Sequence, residues 1–250
     1  MPDETVHHTD RQPVQARPVH AAPIKAVAFD AYGTLFDVYS VGALAEQCFP
    51  GRGESLAQLW RSKQLEYSWL RTLSGRHKPF WDVTRDALHF SARRLGLALD
   101  DALASRLMNQ YACLSAFPDC AGALQQLKAM GLPLAILTNG NQDMIAVSLR
   151  STGMQDCFDH LLSSDSAQAF KTDSRIYDLG PAALGCAAAE ILFVSANCWD
   201  AIGATWYGYR TFWINRTGAP LEQLDTEPHA SGHLLSDVVQ YLRRVTAGSV

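Results

Sequence analysis

The chain lacks an apolar run approaching the ~18 residues of a membrane-crossing helix, which argues against a membrane-embedded protein. It also lacks a C-x-x-C pair or a cysteine with histidine at ligand spacing. The six cysteines (Cys48, Cys113, Cys120, Cys157, Cys186, Cys198) are scattered, which argues against a zinc site and a disulfide framework. They read as buried free thiols of a reducing compartment, and the expected location is cytoplasmic. Charge is sparse, with 18% charged residues and a net charge of -4, so neither a nucleic-acid surface nor a basic membrane-binding field is expected. Residues 1–22 have no apolar h-region and so do not read as a secretory signal. Rich in Pro, His, Gln and charge, they are expected to form a disordered extension, with His7 and His8 solvated.

Apolar residues make up 48% of the 250, enough for a sizeable core. They fall into short runs that read as buried parallel strands. Ile24-Lys-Ala-Val-Ala-Phe29 ends at Asp30, Pro133-Leu-Ala-Ile-Leu137 at Thr138-Asn139-Gly140, and Ile191-Leu-Phe-Val194 at Ser195. Arg210–Asn215 and Phe158–Leu162 are two more candidates. Helical patterns alternate with them. Asp119–Met130 has Asp119 as the expected N-cap and Gly131 as its stop. Asp143–Ser151 stops at Gly153, Ser174–Leu184 at Gly185, and Trp199–Trp206 at Gly208. The alternation predicts a doubly wound α/β fold with ligands beyond the carboxyl ends of the strands. From about Val38 to Phe117 the pattern is helical only. One helix carries Leu56, Leu59, Trp60, Lys63, Tyr67 and Leu70 on a stripe, and another Ala87, Leu88, Ser91 and Leu95, ended by Gly96. Such a block would sit over the strand ends as a cap.

Asp30 alone would be a strand-end residue. Thr138-Asn139, Lys171, then Ser195, Asn197 and Asp200 lie at or near other strand ends, so four segments are expected to converge on it. The stretch Phe29-Asp30-Ala31-Tyr32-Gly33-Thr34-Leu35-Phe36-Asp37 resembles the nucleophile motif of the haloacid dehalogenase superfamily. More narrowly, the chain is similar to the L-2-haloacid dehalogenases. Leu59–Tyr67 (L-W-R-S-K-Q-L-E-Y), Ala135–Gly140, Lys171 with Arg175-Ile-Tyr177, Ile191–Asp200 and Trp213–Gly218 match in order, and the likeness runs from Ile24 to about Gly218.

The resemblance implies a Rossmann-like doubly wound parallel sheet with an inserted helical cap. The core would comprise residues 23–37 and 118–250, and the cap 38–117. It implies hydrolysis of short L-2-haloalkanoic acids to D-2-hydroxy acids through an ester on Asp30, without metal or other cofactor. Arg61, off the apolar stripe, would receive the halide, and Asn139 and Asn197 would support halide or substrate. Thr138, with Ala31 and Tyr32 beside the nucleophile, would bind substrate. Lys171 would keep Asp30 ionised. Asp200 with Lys171 would activate the water that hydrolyses the ester, Tyr177 and Ser195 would orient them, and Thr34 belongs to the same catalytic set. Tyr32, Leu65, Phe80 and Trp199 would form the apolar pocket wall. Relatives commonly pair as homodimers, for which Trp69 and Leu73 are candidates.

Phosphatases of the superfamily carry a second Asp where this chain has Tyr32. A phenol of pKa ~10 is a poor acid at neutral pH, but a halide leaves without protonation. Two departures stand out: Ala196 where relatives often have Ser, and Thr172 where Lys-Pro is usual. Either could alter loop geometry without removing a proposed catalytic group. Three other readings remain open: a hydrolase opening a small strained ring such as azetidine-2-carboxylate, a magnesium-dependent phosphatase or phosphonatase, and a catalytically silent binding module.

Overall fold

The computed structural model describes residues 22–247. Residues 1–21 of the expected extension lie outside the described residues. The chain opens with β1 (Ala26–Phe29), then α1 (Gly42–Cys48), α2 (Gly53–Leu73), α3 (Phe80–Arg94) and α4 (Asp101–Ala112). The alternating part follows: α5 (Cys120–Ala129), β2 (Leu134–Thr138), α6 (Gln142–Thr152), β3 (His160–Ser163) and α7 (Ser164–Ala167). Next come α8 (Ser174–Tyr177), α9 (Leu179–Leu184), β4 (Ile191–Ser195), α10 (Cys198–Tyr207), β5 (Arg210–Ile214), β6 (Ala230–Gly232) and α11 (Leu235–Ala247).

Among the described residues the strands form one parallel sheet in the order β3-β2-β1-β4-β5-β6. The chain grows outward from β1 to β3, then crosses back to lay β4 on the other side of β1. That reversal is where a doubly wound sheet opens a crevice at its carboxyl edge. β1 is central, buried on both faces and apolar throughout, as a parallel interior strand requires. Val27 and Phe29 face the larger core, which includes Leu124 of α5 and Leu235, Val238, Val239 and Leu242 of α11. Ala26 and Ala28 face a smaller one holding Ile176, Tyr177, Phe193 and Ala204. Phe29 pairs with Ile136 on one side and Val194 on the other, so Asp30 leaves the sheet level with the ends of β2 and β4.

Several sequence expectations need correction. Asp119 does not cap α5 with its side chain. Its carboxylate instead takes Arg216 at 3.0 Å and the Leu235 N–H, joining α5 to β5's exit and to α11. The expected helix 174–184 is two short helices around Asp178. Pro181 has no N–H to return to the Tyr177 carbonyl, and the Tyr209 hydroxyl donates to that carbonyl at 2.6 Å. On α2 the buried face is rotated from the expected stripe: Gly53, Leu56, Ala57, Trp60, Arg61, Gln64 and Ser68 are buried, whereas Leu70 is 54% exposed. The polar members of that face are satisfied inside, so apolar spacing alone misplaced it. β6 and α11 were not among the expected elements. α11 buries two leucines and two valines, each worth at most ~1.5–3 kcal/mol on the area scale, and so contributes substantially to closing the core.

Candidate active site

The carboxyl ends of β1, β2 and β4 deliver the charged centre. Asp30 follows β1, its N–H tied to the Val194 carbonyl at 2.9 Å. The tight turn Ala31–Phe36 then folds back: Leu35 and Phe36 both donate to the Ala31 carbonyl, and Gly33 takes φ +95, a conformation open to glycine. This return brings the Thr34 hydroxyl to Asp30 Oδ2 at 2.8 Å. Beyond β4, Ala196 N–H donates to Thr34 Oγ1 at 2.8 Å, and Asn197 N–H to Ser195 Oγ at 3.1 Å. Asn197 Nδ2 then reaches Asp30 Oδ2 at 2.9 Å and the Tyr32 carbonyl at 3.0 Å.

The other oxygen of Asp30 faces Lys171. Its Nζ lies 3.0 Å from Asp30 Oδ1, 2.8 Å from Asp200 Oδ2 and 4.9 Å from the Phe193 ring centre. Lys171 is 1% exposed, so it is not a solvated loop residue. Its backbone N–H donates to Asn139 Oδ1 at 2.8 Å, which pins the loop to the end of β2. The Tyr177 hydroxyl donates to Asp200 Oδ1 at 2.8 Å. Burial, then repulsion from Asp30, pushes the Asp200 carboxyl up to about 6, although Lys171 pulls the other way. Burial first, and Asp200 next, holds the Tyr177 phenol well above its ordinary range, so it remains a proton donor. Desolvating each ion costs several kcal/mol, so one ammonium between two buried carboxylates is a poor device for stability. It is a good one for keeping two carboxylates charged side by side.

Arg61 of α2 reaches this centre from the helical insert. It is 9% exposed, with Nη2 3.4 Å from both the Tyr32 carbonyl and Asn197 Oδ1. Among the described residues it joins no ion pair within 4.0 Å. Register continued from Phe29 and Ile136 sets Ala31 beside Thr138. Neither Ala31 nor Tyr32 donates its backbone N–H among the described residues, which leaves two donors next to the buried Thr138 hydroxyl. That hydroxyl oxygen accepts from the Gly140 N–H at 3.2 Å.

The structure therefore brings together Asp30, Thr34, Arg61, Lys171, Tyr177, Ser195, Asn197 and Asp200. Asn139 acts on the Lys171 backbone. Phe80 is buried against Tyr32 and Phe170, with centroids 5.9 and 5.8 Å apart. Trp199 is half-buried, edge-on to Trp69 at 5.5 Å, and with Lys171, Thr172, Leu73 and Trp206 it lines a cavity of about 400 Å³. Leu65 is half-buried on α2, one turn beyond Arg61, and takes no part in these contacts. Sequence reasoning missed Gln64, Thr84 and Tyr111 behind Arg61, and Gly203 beneath Tyr177. Only the last left a signal, a glycine inside a helix. No group of three or more His, Cys, Asp or Glu among the described residues is arranged to hold a metal ion, and no helix there is long and apolar enough to cross a membrane.

A buried carboxylate after the first strand, a lysine and a second carboxylate at neighbouring strand ends, and a helical segment between the first and second strands point to one class. The chain belongs to the haloacid dehalogenase-like hydrolases, whose family model matches residues 24–208. It is 49% identical over 205 residues, 82% of this chain and 88% of the relative, to an (S)-2-haloacid dehalogenase of Pseudomonas sp. strain YL. A crystal structure of an L-2-haloacid dehalogenase matches with TM-score 0.88 and 54% identity, covering 89% of this chain and all of that one. The Xanthobacter autotrophicus L-2-haloacid dehalogenase with chloropropionic acid covalently bound matches with TM-score 0.83 and 39% identity, over 88% and 98% of the two chains.

Proposed function

We propose that the protein hydrolyses short L-2-haloalkanoic acids to D-2-hydroxy acids, with Asp30 as nucleophile. The observation that carries this is the pairing of a lysine-held carboxylate with a buried guanidinium, Arg61, that has no acidic partner among the described residues. The substrate carboxylate would lie against Thr138 Oγ1 and the Ala31 and Tyr32 N–H groups. Asp30 Oδ1, with one partner against two for Oδ2, keeps the freer lone pair and attacks the 2-carbon from the side opposite the halide. The carbon–halogen bond breaks as the carbon–oxygen bond forms, the carbon inverts, and the halide departs toward Arg61. Both Asn197 Nδ2 protons are engaged, on Asp30 Oδ2 and the Tyr32 carbonyl, so the expected support of the halide by Asn197 is not proposed.

Oδ2 then becomes the ester carbonyl oxygen, with Thr34 Oγ1 and Asn197 Nδ2 already aimed at it. Asp200 takes a proton from the water that attacks the Asp30 carbonyl carbon, and Oδ2 carries the transient negative charge between those two donors. Collapse breaks the bond to the substrate oxygen, which takes back the proton held by Asp200 and leaves as the 2-hydroxy acid; the Asp30 carboxyl then loses its proton to water and pairs again with Lys171. Metal independence is part of the proposal: Lys171 Nζ stands between the two carboxylates and shares its one positive charge with both. Phe80 and Trp199 serve as pocket wall, and residues 38–117 as the cap. Cytoplasmic location is supported by six free cysteines, although only Cys120 and Cys198 are buried as expected, and Cys113 is exposed. A homodimer is supported by apolar side chains left open on α2, with Leu73 86% and Trp69 38% exposed.

The test is a single turnover of EDTA-treated enzyme in excess over L-2-chloropropionate in water enriched in heavy oxygen. Chloride release with label entering Asp30 and D-lactate as product is expected. Chloride release with an unlabelled Asp30, or product of retained configuration, would overturn the ester mechanism. Absence of chloride release would overturn the dehalogenase reading.

A further inference from the structure

Behind Arg61 lies a chain of buried polar groups that touches neither Asp30 nor Lys171. Arg61 Nη1 donates to Gln64 Oε1 at 2.8 Å. The Tyr111 hydroxyl donates to the same oxygen at 3.1 Å. Gln64 Nε2 donates to Thr84 Oγ1 at 2.6 Å, Thr84 Oγ1 donates to the Phe80 carbonyl at 2.7 Å, and Trp60 Nε1 donates to the Thr84 carbonyl at 2.7 Å. Gln64 and Thr84 are 0% exposed and Tyr111 2%. One amide thus joins α2, α3 and α4, and the guanidinium of Arg61 rests on it.

The direction of this chain is fixed by chemistry. A guanidinium only donates, so the amide atom facing Arg61 is the oxygen. Thr84 spends its one hydroxyl proton on the Phe80 carbonyl and therefore accepts from the amide nitrogen. Both ends of Gln64 are used, and neither is charged. A glutamate here would place a carboxylate against Arg61 and neutralise it. It would also meet the Thr84 oxygen with an acceptor where a donor is needed. In the low-dielectric interior a neutral amide orients a cation without cancelling its field.

We infer that Gln64 is a positioning residue for the halide site: with Thr84 and Tyr111 it fixes Arg61 while leaving the full positive charge free for the departing halide. The inference rests on the dehalogenase reading above. Its signature is dependence on the leaving group. Chloride concentrates its charge more than bromide and gains more from a well-placed donor. Weakening a charge-assisted hydrogen bond should therefore slow ester formation from the chloro acid by about 10- to 100-fold, with a smaller loss for the bromo acid. Hydrolysis of the ester, which occurs after the halide has moved away, should be untouched.

The experiment compares 2-chloro- and 2-bromopropionate in single turnovers of the unmodified enzyme, Gln64→Glu and Gln64→Met, with chloride and bromide as product inhibitors. The expected result is a widened bromo-to-chloro rate ratio, weaker halide inhibition and unchanged ester decay. Thr84→Val, close to threonine in shape, should shift the ratio in the same direction, and Thr84→Ser should restore it. This pair keeps the question open to test even if neither Gln64 variant folds. An amide that merely ties three helices together would lower the melting temperature or the active fraction and leave the ratio alone. An unchanged ratio in folded variants overturns the inference. Failure of the unmodified enzyme to release either halide overturns the dehalogenase reading beneath it, a separate and recognisable outcome.

Discussion

Asp30 and Asp200 are both aspartates at the carboxyl edge of one sheet, yet their surroundings differ, and with them the work proposed for each. Asp30 accepts from Lys171, Thr34 and Asn197, whereas Asp200 is wholly buried, with Lys171 and Tyr177 as its side-chain donors. Replacing Asp200 with Asn would remove the proposed general base, a kind of group that contributes ~10²–10⁴-fold. Asp200→Asn should therefore still expel halide once and then stall as the ester, seen as a persistent mass increase on the peptide carrying Asp30. The pH dependence has a definite sign. Asp200 stands at about 6 because of burial and, next, because of Asp30. Esterification removes the Asp30 charge but not Lys171, so the Asp200 carboxyl falls during the intermediate. Ester decay followed against pH should hold through pH 6 and fail only at lower values. A decline centred above 6 would contradict the assignment of Asp200 as base.

At the scale of elements, the site depends on how closely α10 approaches the loop after α7. Gly203 on α10 makes that approach possible: a Cβ there would stand 2.5 Å from Thr172 Cγ2 and 2.8 Å from the Tyr177 hydroxyl. Overpacking of this kind costs ~1–3 kcal/mol. Gly203→Ala should lower the melting temperature and slow ester hydrolysis more than halide release, because Tyr177 and the Lys171 loop are displaced. Adding Thr172→Ser, which removes the crowded methyl, should restore part of both.

The same scale shows what the sequence could tell. β1, β2 and β4 were legible because interior parallel strands are unbroken apolar runs, and each ended on a polar residue of the site. Position alone placed Lys171 among the groups converging on Asp30, but its role came by resemblance, since nothing about a loop lysine announces that its Nζ is buried between two carboxylates. α2 was misread because its buried side carries Arg61, Gln64 and Ser68 where periodicity looks for apolar residues. α11 carries a regular stripe at 235, 238, 239 and 242 and was readable, whereas β6, Ala-Ser-Gly, has no strand signal beyond its place at the sheet edge.

For the whole molecule, the exposed Trp69, Leu70 and Leu73 are neighbours on the last turns of α2. Sedimentation should show a two-chain species at micromolar concentration, and Trp69→Ser with Leu73→Lys should shift it toward one chain. A single-chain species in the unmodified protein would refute the proposed dimer. The charged cluster has a further consequence. Lys171 is separated along the chain by 141 residues from Asp30 and by 29 from Asp200. No local segment can assemble these three groups, and leaving water is unfavourable for each until the other two are in place. Helices form early from neighbouring residues, but this centre must wait until β1, β4 and the lysine loop have met. Dehydration of three ions thus waits on the meeting of distant segments, and no fragment of the chain short of that meeting holds the centre.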